Sequence, residues 1–218
     1  MQGKLKVVTK GTRLSDQAYK IIKESIMKNQ LKPCEVLREE YLADQLEISR
    51  TPVKAALNRL VCEGIAMVNE NGQVAVSDIT ADDVRDVTLV RRSIEGLSFS
   101  LLKGGFQLGQ LDELRGFQRR QRSALESNNM DEYGEMDYQF HTRLALYTGN
   151  RFLYETVKNI EIVIKRYLIL SGTLSKYSFV ACEEHEKILN ALAKNDFEAA
   201  GRAMRDHLVN VDRRMLIR

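Results

Sequence analysis

Three histidines and one aspartate carry the most chemistry in this 218-residue chain. His141, His185 and His207 are its only histidines, and Asp137 precedes His141 by four residues. On a helix, residues at i and i+4 share a face, so Asp137 and His141 run beside the apolar stripe Met136, Phe140, Leu144. His185 belongs to the stripe of Ile188, Leu189 and Leu192, and His207 to that of Ala200, Met204, Leu208 and Val211. Three imidazoles and a carboxylate, aimed inward from three helices, suit a first-row transition metal. One carboxylate against a divalent ion leaves residual positive charge and room for a further ligand. A histidine on an apolar face also serves as a hydrogen-bonded core residue, and spacing alone leaves both readings open.

The elements that must position these groups are helical. Beyond residue 79, apolar spacing predicts helices over about 80–103, 109–127, 130–147, 151–171, 176–194 and 196–214. Gly104-Gly105, Asn128-Asn129, Gly149-Asn150, Ser171-Gly172 and Asn195-Asp196 separate them. Thr80 caps the first, which places Val84, Val87, Val90, Ile94 and Leu97 on one face. Six helices of this length predict an antiparallel bundle whose interior is the natural ligand site.

Before it, a helix is expected over Leu14–Gln30, with Ala18, Ile21, Ile22 and Ile26 at helical spacing. A short helix over 38–46 follows, then a turn at Glu47-Ile48, then a helix from Arg50 with Ser49 as N-cap. Pro52 sits in the first turn, where a missing N–H has no intrahelical partner. Val53, Leu57, Leu60 and Val61 form the buried face, leaving Arg50, Thr51 and Lys54 at the exposed N-terminal end. Two β-prone runs, 66–68 and 74–76, flank Asn71-Gly72, which predicts a type I′ hairpin with φ > 0 at both positions. Three helices and a two-stranded ribbon make a winged helix-turn-helix, which lays its third helix in the DNA major groove. The expected fold class is therefore mostly α, a winged helix-turn-helix followed by a six-helix bundle. The boundaries fall at 1–13 for an N-terminal arm, 14–78 and 79–218.

Composition agrees. The formal net charge is only +3. In the first 38 residues, however, Lys4, Lys6, Lys10, Arg13, Lys20, Lys23, Lys28, Lys32 and Arg38 face only Asp16, Glu24 and Glu35. That excess suits phosphate contacts. No apolar run reaches the length of a membrane span, and the N-terminus lacks a signal peptide's apolar region. Cys34, Cys62 and Cys182 are odd in number and widely spaced, which predicts reduced thiols and a cytoplasmic protein.

Ser49-Arg50-Thr51-Pro52-Val53-Lys54-x-Ala56-Leu57-x-Arg59-Leu60, followed by Glu63-Gly64-Ile65, resembles the DNA-binding domain of GntR-family regulators. The resemblance implies contacts to bases or phosphates from Arg50 and Lys54, and to the backbone from Ser49 and Thr51. Arg38, Arg59 and the wing-tip Gly72 complete the expected DNA surface. The chain departs from the family pattern at two places: Pro33-Cys34 where it has Pro-Gly, and Lys54-Ala55 where it has Arg-Glu. Lys lacks the bidentate fork that Arg offers guanine.

Residues 80 to 214 look like the FCD effector domain of the FadR subfamily in its six-helix, VanR-like form. The resemblance rests on Val90-Arg91-x-x-Ile94-Glu95, Asp137-x-x-x-His141, Glu184-His185-x-x-Ile188-Leu189 and the stretch from Asp196 to Leu208. It implies that Asp137, His141, His185 and His207 hold a divalent metal (zinc, nickel, manganese or iron). It also implies that a small organic acid completes the coordination and changes the grip on DNA. Arg91 is a candidate second anchor for that acid, or else an ion-pair partner of Glu95; Arg166 is a further candidate, or else solvent-facing. A homodimer on a pseudo-palindromic double-stranded operator is expected, with no membrane partner and no enzymatic activity. A metal-sensing or purely structural metal site remains an alternative. A metalloenzyme is remote, because no nucleophile or general base pairs recognisably with the site.

Overall fold

The computed structural model describes residues 13–216. The chain divides into two compact units between Asp78 and Ile79. Of the arm expected over 1–13, all but Arg13 lies outside the described residues.

In the first unit, α1 (Leu14–Met27) buries Ala18, Tyr19, Ile22 and Ile26. It stops short of Gln30 because Asn29 turns left-handed at φ 56. The Gln30 N–H then bonds back to the Ser25 carbonyl, which caps the helix end. Ile21, expected inside, is 49% exposed, and Tyr19 takes the inward place. α2 (Glu39–Gln45) leads through Glu47, at φ 54, into α3 (Arg50–Cys62). Ser49 is the extended N-cap, without a side-chain cap bond. α3 buries Val53, Ala56, Leu57 and Leu60; Val61 is half-buried.

β1 (Ala66–Val68) pairs antiparallel with β2 (Val74–Val76), Ala66 opposite Val76. The expected type I′ turn is not formed. Gly72 has φ 73, Asn71 is not left-handed, and the loop closes through the Gly72 N–H to the Asn69 carbonyl. The Asn69 side chain accepts from the Asn71 and Gln73 N–H groups and so holds a wider loop. A turn followed by one left-handed glycine needs φ > 0 at a single position. Cys34 also turns left-handed, at φ 64, and adopts a conformation that favours glycine.

The second unit contains α4 (Ala81–Leu102), α5 (Leu108–Glu126), α6 (Met130–Tyr147), α7 (Arg151–Leu170), α8 (Thr173–Ala193) and α9 (Phe197–Leu216). Thr80 and Asp83 form a capping box on α4, and Asn129 and Asn150 cap α6 and α7 with their side chains. α8 starts three residues before the expected 176, since Gly172 at φ 70 serves as its N-cap. α4 departs most from expectation. Its buried face is Val84, Thr88, Arg91, Glu95, Ser98, Phe99 and Leu102. Val90 and Leu97 are instead 48% and 49% exposed.

Two apolar clusters fill this unit. One gathers Phe99, Leu114, Phe140, Leu144, Ile188, Met204 and Leu208; the other gathers Val84, Tyr133, Ile164, Leu174 and Val211. Along α4, α6, α8 and α9 each cluster owns one end of the helix. Arg91 and Glu95, Asp137 and His141, His185, and His207 lie near the changeover from one cluster to the other. The bundle therefore carries a polar layer between two apolar ones.

Candidate metal centre and DNA-binding face

The three histidines are fully buried, and one ligand atom of each lies within 4.8 Å of the others. Every Nδ1 is engaged from outside. His141 Nδ1 is 2.6 Å from Glu95 Oε2, His207 Nδ1 is 2.8 Å from Glu184 Oε2, and His185 Nδ1 is 3.1 Å from Gln121 Oε1. Oxygen acceptors require Nδ1 to carry the hydrogen, so in each neutral ring the lone pair lies on Nε2. His185 and His207 then bring two lone pairs within 3.3 Å of each other, and buried His141 Nε2 has no partner. Lone pairs that face one another repel unless a cation lies between them. The same Gln121 donates through Nε2 to Asp137 Oδ1 at 2.9 Å, and that oxygen is 3.8 Å from His185 Nε2. One amide thus orients two of the four predicted ligands. The donor set fits a divalent transition metal, with outer partners that fix each ring, as such sites require.

Electrostatics point the same way. Burial, reinforced by the positive neighbours His207 and His141, holds His185 well below the ordinary histidine pKa. Burial also lowers His207, against the pull of its bond to Glu184. For His141, burial opposes the charged form but Glu95 and then Glu161 outweigh it, so its pKa rises. The carboxylates therefore favour positive charge at His141, while burial disfavours it at His185 and His207.

Behind His141, Glu95 turns its other oxygen to Arg91 Nε at 2.6 Å. Arg91 Nη2 lies 2.7 Å from Glu161 Oε1 of α7, a close ion pair whose angles fall short of a hydrogen bond. Burial, only partly offset by Arg91, pushes Glu161 up to about 8. Glu184 goes the other way, because bonds from Arg214 and His207 outweigh burial and draw it down to about 2. Arg91 thus stands in ion pairs with both Glu95 and Glu161. Arg166 is buried rather than solvent-facing, and it does not line the cavity beside the histidines. That cavity measures about 30 Å³ and is bordered by Asp137, His207, Arg91, Arg214, Thr173 and Leu174 among others. It has room for about two water molecules.

In the first unit, Arg38, Ser49, Arg50, Thr51, Lys54 and Gly72 are all exposed. Arg50 pairs with Glu40 of α2. Arg59 is exposed as well, and its side chain is engaged within the unit. Its guanidinium stacks on the Tyr19 ring at 3.6 Å and reaches Glu63 at 3.2 Å and Asp16 at 3.6 Å. Glu63 also accepts from Tyr19 Oη and Lys23 Nζ. This network ties α1 to the end of α3.

Residues 14–76 match the family described as "Bacterial regulatory proteins, gntR family", and residues 86–210 match the FCD domain. The chain is a GntR-family regulator with an FCD domain. The HTH-type transcriptional repressor RspR of Escherichia coli K12 is 25% identical over 198 residues, 91% of this chain and 87% of that protein. The Uxu operon transcriptional regulator of the same organism is 28% identical, covering 97% of this chain and 90% of its own. Two solved structures share the fold. E. coli McbR/YncC superposes with a TM-score of 0.79 at 20% identity, over 92% of this chain and 95% of that one. A GntR regulator from Rhodococcus sp. RHA1 gives 0.81 at 19%, over 93% and 97%.

Sequence reasoning missed three groups around the histidines of this GntR/FCD regulator: Gln121, Glu161 and the role of Glu184. Glu161 had a signal, as the lone acid in the run Ile160-Glu161-Ile162-Val163-Ile164. Gln121 lies in a helix rich in arginine and glutamine and had none.

Proposed function

We propose that this regulator binds a pseudo-palindromic operator as a homodimer and responds to a small carboxylate at a metal held by Asp137, His141, His185 and His207. In this reading the protein is cytoplasmic and of the VanR-like FadR type. The observation that carries it is the outward engagement of all three Nδ1 atoms, which leaves three Nε2 lone pairs converging in a buried layer. A divalent metal there would supply positive charge on which an effector carboxylate closes in place of water. The chain's own residues do the rest. Gln121 aligns Asp137 and His185, Glu184 aligns His207, and Glu95 joins His141 to Arg91 on α4. α4 begins at Ala81, five residues after β2 of the wing ends, so a shift of Glu95 has a short covalent route to the DNA-binding unit. By linkage, effector and DNA change each other's affinity by the same factor.

Ser49, Arg50, Thr51 and Lys54 present the face that would enter the major groove, with Arg38 and Gly72 beside them. Arg59 is expected to act indirectly, by holding α1 against α3. A dimer is supported by exposed Leu89, Val90, Leu97 and Leu101 on α4, an apolar strip that a second copy would cover. No described helix is long and apolar enough to cross a membrane.

The test is metal content and operator affinity of wild type beside His185→Ala. Stoichiometric metal lost in the variant, with operator affinity that responds to acids only in wild type, is the expected outcome. Metal-free wild type with an unchanged variant overturns the reading. The small cavity also favours a second reading, in which the metal alone is the signal. That reading wins if metal addition changes operator affinity and no acid does.

A further inference from the structure

We infer that the cavity beside the histidines selects short monocarboxylates over dicarboxylates of similar length. This rests on the metal-assisted carboxylate site proposed above and adds the class of acid it takes.

The argument is the pairing of charge around the cavity. A second carboxylate in a buried site needs a cation or several N–H donors, since an unpaired buried charge is among the costliest arrangements in a protein. Arg91 and Arg214 are the only Lys or Arg lining the cavity among the described residues. Both are already committed. Arg91 offers Nε to Glu95 and Nη2 to Glu161, at 2.6 and 2.7 Å. Arg214 spans Glu184 with both terminal nitrogens, Nη1 to Oε1 at 2.9 Å and Nη2 to Oε2 at 2.7 Å. Around these two guanidiniums stand four acidic side chains: Glu95, Glu161, Glu184 and Asp137. One carboxylate can close on the ion, and a second finds no uncommitted cation.

The remaining wall fits a short apolar tail. Leu168, Leu174, Ala181 and Val211 line it, with the hydroxyl-bearing Thr173 and Ser178. The cavity volume of about 30 Å³ restricts that tail to a few carbons.

The experiment is calorimetric titration of wild type of measured metal content with propionate, malonate and succinate at matched ionic strength. His185→Ala and Glu161→Gln are titrated beside it. Propionate is expected to bind wild type at least about tenfold more tightly than either diacid. In His185→Ala propionate binding is expected to be lost. Glu161→Gln leaves Glu95 as the one acid held by Arg91, so it is expected to narrow the ratio several-fold. Malonate or succinate binding wild type as tightly as propionate overturns the inference and leaves the metal-assisted site standing. Propionate binding retained in metal-free His185→Ala overturns the site reading itself. Failure of all three acids to bind metal-loaded wild type overturns both. The wild-type comparison decides the selectivity even if Glu161→Gln does not fold.

Discussion

The two units handle charge in opposite ways. In the DNA-binding unit the charged groups lie at or near the surface. Arg50 and Glu40 keep 61% and 70% of their side-chain area in solvent, and even the Tyr19–Lys23–Glu63 network is partly exposed. In the effector unit, Arg91, Glu95 and Glu161 retain 4% or less, locked between two apolar clusters. Exposed pairs gain little, because water competes for each partner. Buried ones cannot lose a partner without stranding a charge in a low-dielectric interior. Plasticity and tolerance therefore belong to the first unit, and switch-like sensitivity to the second.

The largest effect is expected from Glu95→Ala, which strands His141 and leaves Arg91 with Glu161 alone. Removing one partner of such a buried pair costs about 3–5 kcal/mol. Thermal unfolding should show the loss in the effector unit. A cost under about 1 kcal/mol would erase the contrast between the units.

Gln121→Leu comes next. It keeps approximate volume but frees both Asp137 and His185, and outer-shell losses of this kind reduce metal affinity about 10–100-fold. Competition with a chelator measures this, and an unchanged affinity would leave the amide as packing alone.

The third expectation concerns pH. Bonds from Tyr19, Lys23 and Arg59 hold Glu63 below the ordinary carboxylate range, against burial. A depressed acid contributes its full stability above its unfolded pKa and loses it as pH falls through the folded one. Glu63→Gln should thus lower the melting temperature near neutrality, by an amount worth about 1 kcal/mol after solvent screening. The gap should close in acid. A gap constant over that range would assign the effect to packing of Arg59 on Tyr19.

The smallest effect sharpens the comparison from the stabilising side. Cys34 holds a left-handed conformation at φ 64 on an exposed turn. Left-handed backbone costs a non-glycine residue about 1–2 kcal/mol, part of which glycine gives back through unfolded-chain entropy. Cys34→Gly should raise the denaturation midpoint by about 0.5–1 kcal/mol, and a lowered midpoint would mean that the thiol packs usefully.

Much of this molecule was legible in the sequence because local chemistry punctuates it. Asn129 and Asn150 mark helix starts, Gly104 and Gly149 mark stops, and the helix ranges followed from them. The inward set of three histidines was legible for the same reason, since each sits among apolar residues at helical spacing. α4 was misread because Val90 and Leu97 suggested an apolar face where the protein buries Arg91 and Glu95. The type I′ turn was misread because Asn69, two residues upstream, captured the loop with its side chain.

Sequence alone therefore determined which segments are helices, which form the two-stranded ribbon, and which imidazoles turn inward. All of these are set within a few residues by caps, breaks and periodicity. Only the tertiary structure decided that Gln121 serves both Asp137 and His185, that Glu184 holds His207, and that Arg91 is shared by Glu95 and Glu161. Those pairings span up to 70 residues. Periodicity can assign a polar residue to a face, but the residue's burial is decided by a charge arriving from another helix.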